Sequence, residues 1–297
     1  MEFITRKALL FKGLQRVQGI ADTKGAIPIL SHVLIKAIDD QAWIFATDLK
    51  IGIKGSVPAT VKREGRVTLP AKRIFDIVRE LPDGDVLIST DTADQSTYEN
   101  QWINVCAGNY RSKIPCMPPE IFPEFPSFDK DYIIRFKPEI LKNMIRKTIL
   151  ATSNEEGRPA LTGVLMEVDS DNAVFVSTDG HRLSFVRTEN KTPTEKKHSL
   201  ILPQKTCSEL IKFIEPVDED ILFALYENQA VFRQGDLVLV SRLIEEGKYP
   251  RYEGVIPEKG ESCAVLKKEE LISSLKRVSV LAGEDSGMVR FCLRPNE

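Results

Sequence analysis

Ser177, Asp179 and His181 alternate along the chain, so on an extended strand their side chains would share one face. A hydroxyl, a carboxylate and an imidazole are the ingredients of nucleophilic hydrolysis, with Asp179 and His181 as the acid–base pair. The spacing argues against that use. Triads draw their members from separate segments so that base and nucleophile converge, and no G-x-S-x-G turn presents Ser177. The same residues have a structural reading. Ala173–Val176 is an apolar, β-forming run and Ser184–Val186 is part of another, with the turn pair Asp179-Gly180 between them. The pattern predicts two strands and a tight turn. Gly180 would supply positive φ, Asp179 would cap its own turn, and His181 and Arg182 would sit at the lip. A hydrolase built on Asp179 and His181 stands as the alternative.

Composition narrows the class. The chain has 297 residues, enough for two or three domains, and a formal net charge of −2, which by itself argues against a strongly basic nucleic-acid binder. Five cysteines at 106, 116, 207, 263 and 292 show no paired spacing, which suggests reduced thiols in a cytoplasmic protein. Only three histidines occur and no Cys/His cluster has zinc spacing, so no metal and no cofactor is expected. The start, Met1 to Arg6, is too polar for a signal peptide, and no apolar run approaches the ~20 residues of a membrane span.

The elements that must position the turn follow from periodicity. Leu10, Leu14 and Val17 predict a helix from Thr5, as N-cap, to about Ile20. Strands are expected at 33–37, 42–46, 51–57 and 66–69, then a helix over 71–81 that Pro82-Asp83-Gly84 stops. Strands at 86–89, 101–106 and 110–114 lead to a Pro-rich linker, 115–126. A helix over 137–150 then restarts the pattern. Pro28-Ile29-Leu30, Val33-Leu34 and Thr47-Asp48 recur as Pro159-Ala160-Leu161, Val164-Leu165 and Thr178-Asp179, all displaced by 131 positions. Leu69-Pro70-Ala71-Lys72 recurs as Leu202-Pro203-Gln204-Lys205. Matches in one order at one offset mark an internal repeat. Leu271, Ile272, Leu275 and Val278 begin a third unit, with Val289–Leu293 as a candidate strand, and the expectation is a fragment of a longer protein.

Charge is segregated by element. The predicted helices, 5–20, 71–81, 137–150, 203–214 and 267–278, carry a net charge of +11, and the rest of the chain carries −13. Lys and Arg are good helix formers, but so is Glu, and the helices are poor in acid. Helices sharing one face would make it positive, the field of a protein that surrounds a polyanion without gripping it. Lys12, Arg73, Lys142 and Lys205 are expected on that shared concave side. No base-reading motif occurs.

Thr178-Asp179-Gly180-His181-Arg182-Leu183 after a strand resembles the signature of the bacterial DNA sliding clamps, the β subunits of DNA polymerase III. Two further stretches are similar, in family order: Thr23-Lys24-Gly25-Ala26-Ile27-Pro28-Ile29-Leu30, and Lys248-Tyr249-Pro250-Arg251-Tyr252-Glu253-Gly254-Val255-Ile256-Pro257. The resemblance runs from Met1 to the end. It implies an α+β DNA clamp fold of repeated domains, with antiparallel sheets outside and helices lining a ring. The units would be 1–126, 127–255 and an incomplete third, 256–297. It implies a non-catalytic processivity factor that encircles duplex DNA without regard to sequence. The implied partners are the polymerase III α subunit, the clamp loader, other polymerases and repair proteins, and a second copy in a head-to-tail homodimer; a fragment that forms no ring is the further alternative. Matching positions imply a peptide-binding pocket at Leu161, Thr178, Gly180, His181, Arg182, Leu183, Pro250 and Val255, although on pattern alone Leu161 and Val255 read as core. They also imply DNA contacts at Lys24, Arg73, Arg158 and Lys205, and a dimer interface at Ile114, Val280 and Leu281. Two departures stand out: Gly254 replaces a residue that is basic in many members, and Glu155 and Glu156 precede Arg158.

Overall fold

The computed structural model describes residues 1–21, 25–90, 102–126, 128, 134–155, 157–189, 196–257, 264–280 and 289–292. Strand β1 (Glu2–Arg6) runs directly into helix α1 (Lys7–Val17). Strands β2 (His32–Ile38), β3 (Gln41–Thr47), β4 (Ile51–Pro58), β5 (Thr60–Arg63) and β6 (Gly65–Pro70) lead to α2 (Ala71–Glu80). Then come β7 (Asp85–Thr90), β8 (Trp102–Ala107) and β9 (Tyr110–Pro115). The second half repeats this order with one strand fewer between its helices: β10 (Ile134–Phe136), α3 (Pro138–Thr148), β11 (Gly163–Val168), β12 (Asn172–Thr178), β13 (Leu183–Glu189), β14 (His198–Pro203), α4 (Gln204–Phe213), β15 (Ile221–Tyr226), β16 (Gln229–Gln234) and β17 (Leu237–Arg242). Helix α5 (Lys268–Ser279) follows.

The two halves use the same local devices. Pro28 and Pro159 each start a 3-10 turn that feeds a strand, and in each turn a hydroxyl, Ser31 or Thr162, donates to the proline carbonyl at 2.7 Å. Strand ends at Pro70 and Pro203 lead without a loop into α2 and α4, where a proline N-cap has no donor to waste.

Thr5 does not cap a helix. It lies in β1, and its hydroxyl donates to the Pro58 carbonyl at 2.7 Å. Strand β1 pairs with β5 on one side and β7 on the other, within a five-stranded sheet ordered β5-β1-β7-β8-β9. A four-stranded sheet is ordered β13-β12-β11-β14. Between them an eight-stranded sheet, β10-β15-β16-β17-β4-β3-β2-β6, takes strands from both halves. The halves meet where β17 pairs antiparallel with β4, Val238 opposite Lys54 and Ser241 opposite Ile51. Residues 1–249 accordingly form one compact unit, and 250–297 form a second.

In the first unit α1 packs on β3 and β4, α2 on β2 and β6, α3 on β12 and β13, and α4 on β14 and β17. Leu10, Leu14 and Val17 of α1 are fully buried, worth about 2 kcal/mol each. Phe11 and Phe75 stack at 5.0 Å where α1 meets α2. The helix layer thus covers one face of the sheets, and the apolar residues that gave the helices their periodicity point into a single core.

In the second unit, considered alone, α5 buries no side chain; Ile272 and Val278 are exposed. Val289–Cys292, expected as a strand, form none, and Leu293 lies outside the described residues.

Candidate functional site

Strands β12 and β13 pair from Asn172↔Glu189 to Thr178↔Leu183, which leaves Asp179–Arg182 as the loop. Hydrogen bonds lock it. The Thr178 hydroxyl donates to the Arg182 carbonyl at 2.7 Å and accepts the Gly180 N–H at 3.1 Å. Asp179 Oδ1 accepts the N–H groups of His181 and Arg182, each at 3.0 Å, while Arg182 Nε donates to Oδ2 at 2.9 Å. Gly180 has φ +91°, and its missing Cβ would meet only Arg158 Nη1, at 3.5 Å. Glycine is required there by conformation and not by crowding.

These bonds decide the chemistry. The backbone N–H groups of His181 and Arg182, and then the Arg182 guanidinium, hold the Asp179 carboxyl at about 2. So acidic a group is a poor general base at neutral pH. Ser177 is fully buried and donates its hydroxyl to the Thr148 carbonyl. No nucleophile–base–orienter arrangement forms, and the hydrolase alternative is not supported.

The turn is anchored from behind. Ser184 donates to the Lys147 carbonyl at 2.5 Å, so the hairpin base hangs on the C-terminal end of α3. Tyr249 donates to the Val176 carbonyl at 3.3 Å, and burial pushes its phenol up to about 12. Its positioning role was not read from the sequence; its place in the Lys248–Pro257 stretch was the one available signal. Leu161 is buried in the 3-10 turn Pro159–Thr162, its carbonyl accepting the Ser153 N–H at 2.8 Å. Arg158, expected at DNA, lies beside Gly180. The structure therefore places Thr178, Gly180, His181, Arg182 and Leu183 on one turn with Arg158 beside it, and links Leu161 to Arg158 by the bond from the Leu161 N–H to the Arg158 carbonyl at 2.9 Å. In the second unit, Pro250 is exposed and Val255 is 67% exposed on the 3-10 turn Glu253–Val255, so Val255 is no core residue.

The basic residues divide into engaged and free. Lys205 pairs with Asp48 at 2.5 Å, and Lys12 and Arg16 both bind Glu215. Lys142 donates to the Ile214 carbonyl at 3.3 Å. Arg73 is exposed on α2, and Lys72, Arg146 and Lys147, which sequence reading did not single out, are exposed on α2 and α3. Among the described residues these four have no ion-pair partner. Lys24 lies outside the described residues.

Ile114, expected at a dimer interface or in the core, sits in β9 at 1% exposure, packed in the main core. Val280 is 82% exposed, and Leu281 lies outside the described residues. Cys106, Cys116, Cys207 and Cys292 are free thiols, and burial pushes Cys207 up to about 12. No helix among the described residues is long and apolar enough to cross a membrane.

This combination, antiparallel sheets backed on one face by a basic helix layer, has close counterparts. Residues 1–126 match the family model of the DNA polymerase III beta subunit, N-terminal domain, and residues 135–251 match that of its central domain. The beta sliding clamp of Synechocystis sp. is 31% identical over 309 residues, covering 99% of this chain and 78% of the relative. That of Synechococcus elongatus is 32% identical over 301 residues, covering 99% and 78%. The crystal structure of the sliding clamp from Bacillus subtilis aligns with a TM-score of 0.88 at 26% identity, covering 96% of this chain and 75% of that one. A clamp from Pseudomonas aeruginosa bound to griselimycin aligns with a TM-score of 0.87 at 28% identity, covering 97% and 76%. The chain belongs to the bacterial β sliding clamp family, the non-catalytic processivity factors of DNA polymerase III.

Proposed function

We propose that this chain tethers DNA polymerase III to duplex DNA by two surfaces. The observation that carries the reading is a set of unneutralised basic side chains on the helices: Lys72 and Arg73 of α2 and Arg146 and Lys147 of α3 are exposed and have no ion-pair partner among the described residues. Diffuse phosphate contact needs no base readout and permits sliding. Arg73 is assigned to that contact, together with Lys24, Arg158 and Lys205.

The second surface is the Thr178 turn. Leu161, Thr178, Gly180, His181, Arg182 and Leu183 are assigned to capture of short linear peptides, through apolar wall and polar rim. The same role is assigned to Pro250 and Val255. The peptides belong to the polymerase α subunit, the clamp loader, and other polymerases and repair proteins. The division into clamp domains 1–126, 127–255 and 256–297, a head-to-tail homodimer with Val280 and Leu281 at its interface, and a cytoplasmic location belong to the same reading.

The test is anisotropy of a labelled Gln-Leu-Ser-Leu-Phe peptide. His181→Ala and Leu183→Ala should each weaken binding by about 1–2 kcal/mol with an unchanged circular dichroism spectrum, since neither side chain is in the core. Unchanged affinity in both variants would refute the assignment.

A further inference from the structure

The eight-stranded sheet has a second face, opposite its helices. Strand alternation sends Ile51 and Ile53 of β4 into the core, and Gly52 and Lys54 to the face opposite the helices. The linker lies on that face. The Phe125 ring rests over Gly52, where a Cβ would stand 3.1 Å from its Cε2. Between the linker segment 122–126 and the loop after Thr47 opens a cleft of about 230 Å³. Leu49, Phe122, Phe125 and Val240 supply its apolar lining.

Leu49 is unusual there. It is 48% exposed at φ +71°, a strained conformation for leucine at a place where Gly180 serves in the second half. Strain kept at an exposed apolar side chain points to use of that side chain. Two cations, Lys50 and Arg242, stand at the rim, exposed and without an ion-pair partner among the described residues. The next row holds two more. Lys54 and Arg233 flank Val238 on adjacent strands and repel one another; Lys54 lies 5.2 Å from the Phe125 ring centroid. Glu124 also lines the cleft, and Asp236, near the second pair, accepts the Ser56 hydroxyl at 2.8 Å. Among these residues the four cations outnumber the two acids.

We propose that this cleft docks an acidic linear peptide of a partner protein, with one large apolar side chain inserted beside Leu49 and carboxylates meeting the two cation pairs. Lys50 and Lys54 are four residues apart, roughly 13 Å on a strand, which matches carboxylates four residues apart on an extended ligand. The volume suits one side chain and is small for a whole drug-sized molecule. Single-stranded nucleic acid would want a continuous cation track with open aromatic platforms. Here the cations come in two pairs separated by apolar surface. The inference does not depend on the role assigned to the Thr178 turn.

The test uses a fluorescein-labelled Gly-Glu-Ser-Leu-Ser-Glu peptide and the whole chain, read by anisotropy. The double variant Lys50→Glu with Arg242→Glu should weaken binding by about tenfold or more. Replacing both glutamates of the peptide by glutamine should do the same, and an equal loss in His181→Ala but none in the double variant would put the peptide at the Thr178 turn and overturn the proposal. Should the double variant lose its fold by circular dichroism, Lys50→Ala with Arg242→Gln takes its place. Three further results overturn the proposal: no measurable binding, equal binding of acidic and neutral peptides, or displacement by a short oligothymidylate that holds the same face more tightly.

Discussion

Arg16 and Glu215, 199 positions apart, join the two halves across the helix layer: Arg16 Nε donates to Glu215 Oε1 at 2.8 Å, and Lys12 Nζ reaches Oε2 at 3.2 Å. Burial pushes the Glu215 carboxyl up, but the two cations outweigh it and hold it below the usual carboxylate range. The same contact neutralises two basic residues on the layer assigned to DNA.

Glu215→Gln should therefore act twice. It should destabilise the chain by about 1 kcal/mol at pH 7, discounted for partial exposure. A depressed carboxyl stabilises fully above its ordinary value and loses that contribution as pH falls through its folded one. Urea unfolding of parent and variant should thus differ at pH 7 and converge at strongly acidic pH. The variant should also bind duplex DNA more tightly, with a steeper salt dependence, because Lys12 and Arg16 are released.

Thr47 and Thr178 make the same pair of bonds. The Thr47 hydroxyl donates to the Ile51 carbonyl and accepts the Leu49 N–H, both at 3.0 Å. Each turn needs positive φ at its third residue, where one has glycine and the other leucine. Gly180→Ala should cost about 1 kcal/mol in denaturant unfolding. Leu49→Gly should change stability by less than that, since relief of strain offsets a freer unfolded chain.

Removing the free helix cations should weaken DNA binding without unfolding the protein. Arg73→Ala with Arg146→Ala should reduce the slope of log affinity against log salt by up to about 1 per lost contact, uniformly across DNA sequences. Salt titration of binding to two unrelated duplexes reads both quantities. A loss confined to one duplex would contradict diffuse contact.

Amide exchange should separate α5 from α1. Helix α1 buries Leu10, Gly13, Leu14 and Val17, whereas α5 buries none of its side chains. Helices of this length have little stability of their own. Mass spectrometry should find α5 exchanging quickly and α1 slowly; equal protection would show that α5 is held by contacts its burial does not reveal.

Periodicity alone located most elements to within a residue or two: α2, α4 and α5, the strands β2 to β4, and the Thr178 hairpin with its Asp179 cap. Local pattern suffices there because each helix or hairpin must turn its own apolar face inward. Long-range pairing was not legible. Thr5 reads as a helix cap until Pro58 is known to lie across from it, and nothing local in β4 names β17 as its neighbour. Ile114 illustrates the same limit, since an apolar strand residue looks alike whether it faces a partner or the core. Charge behaves likewise. The sequence determined that the helices are basic, but only the tertiary structure decided that Lys205, Lys12 and Arg16 are tied to Asp48 and Glu215 while Arg73 and Arg146 have no ion-pair partner among the described residues. An ion pair depends on which distant carboxylate the fold brings within about 4 Å, and that distance is a property of the packed chain.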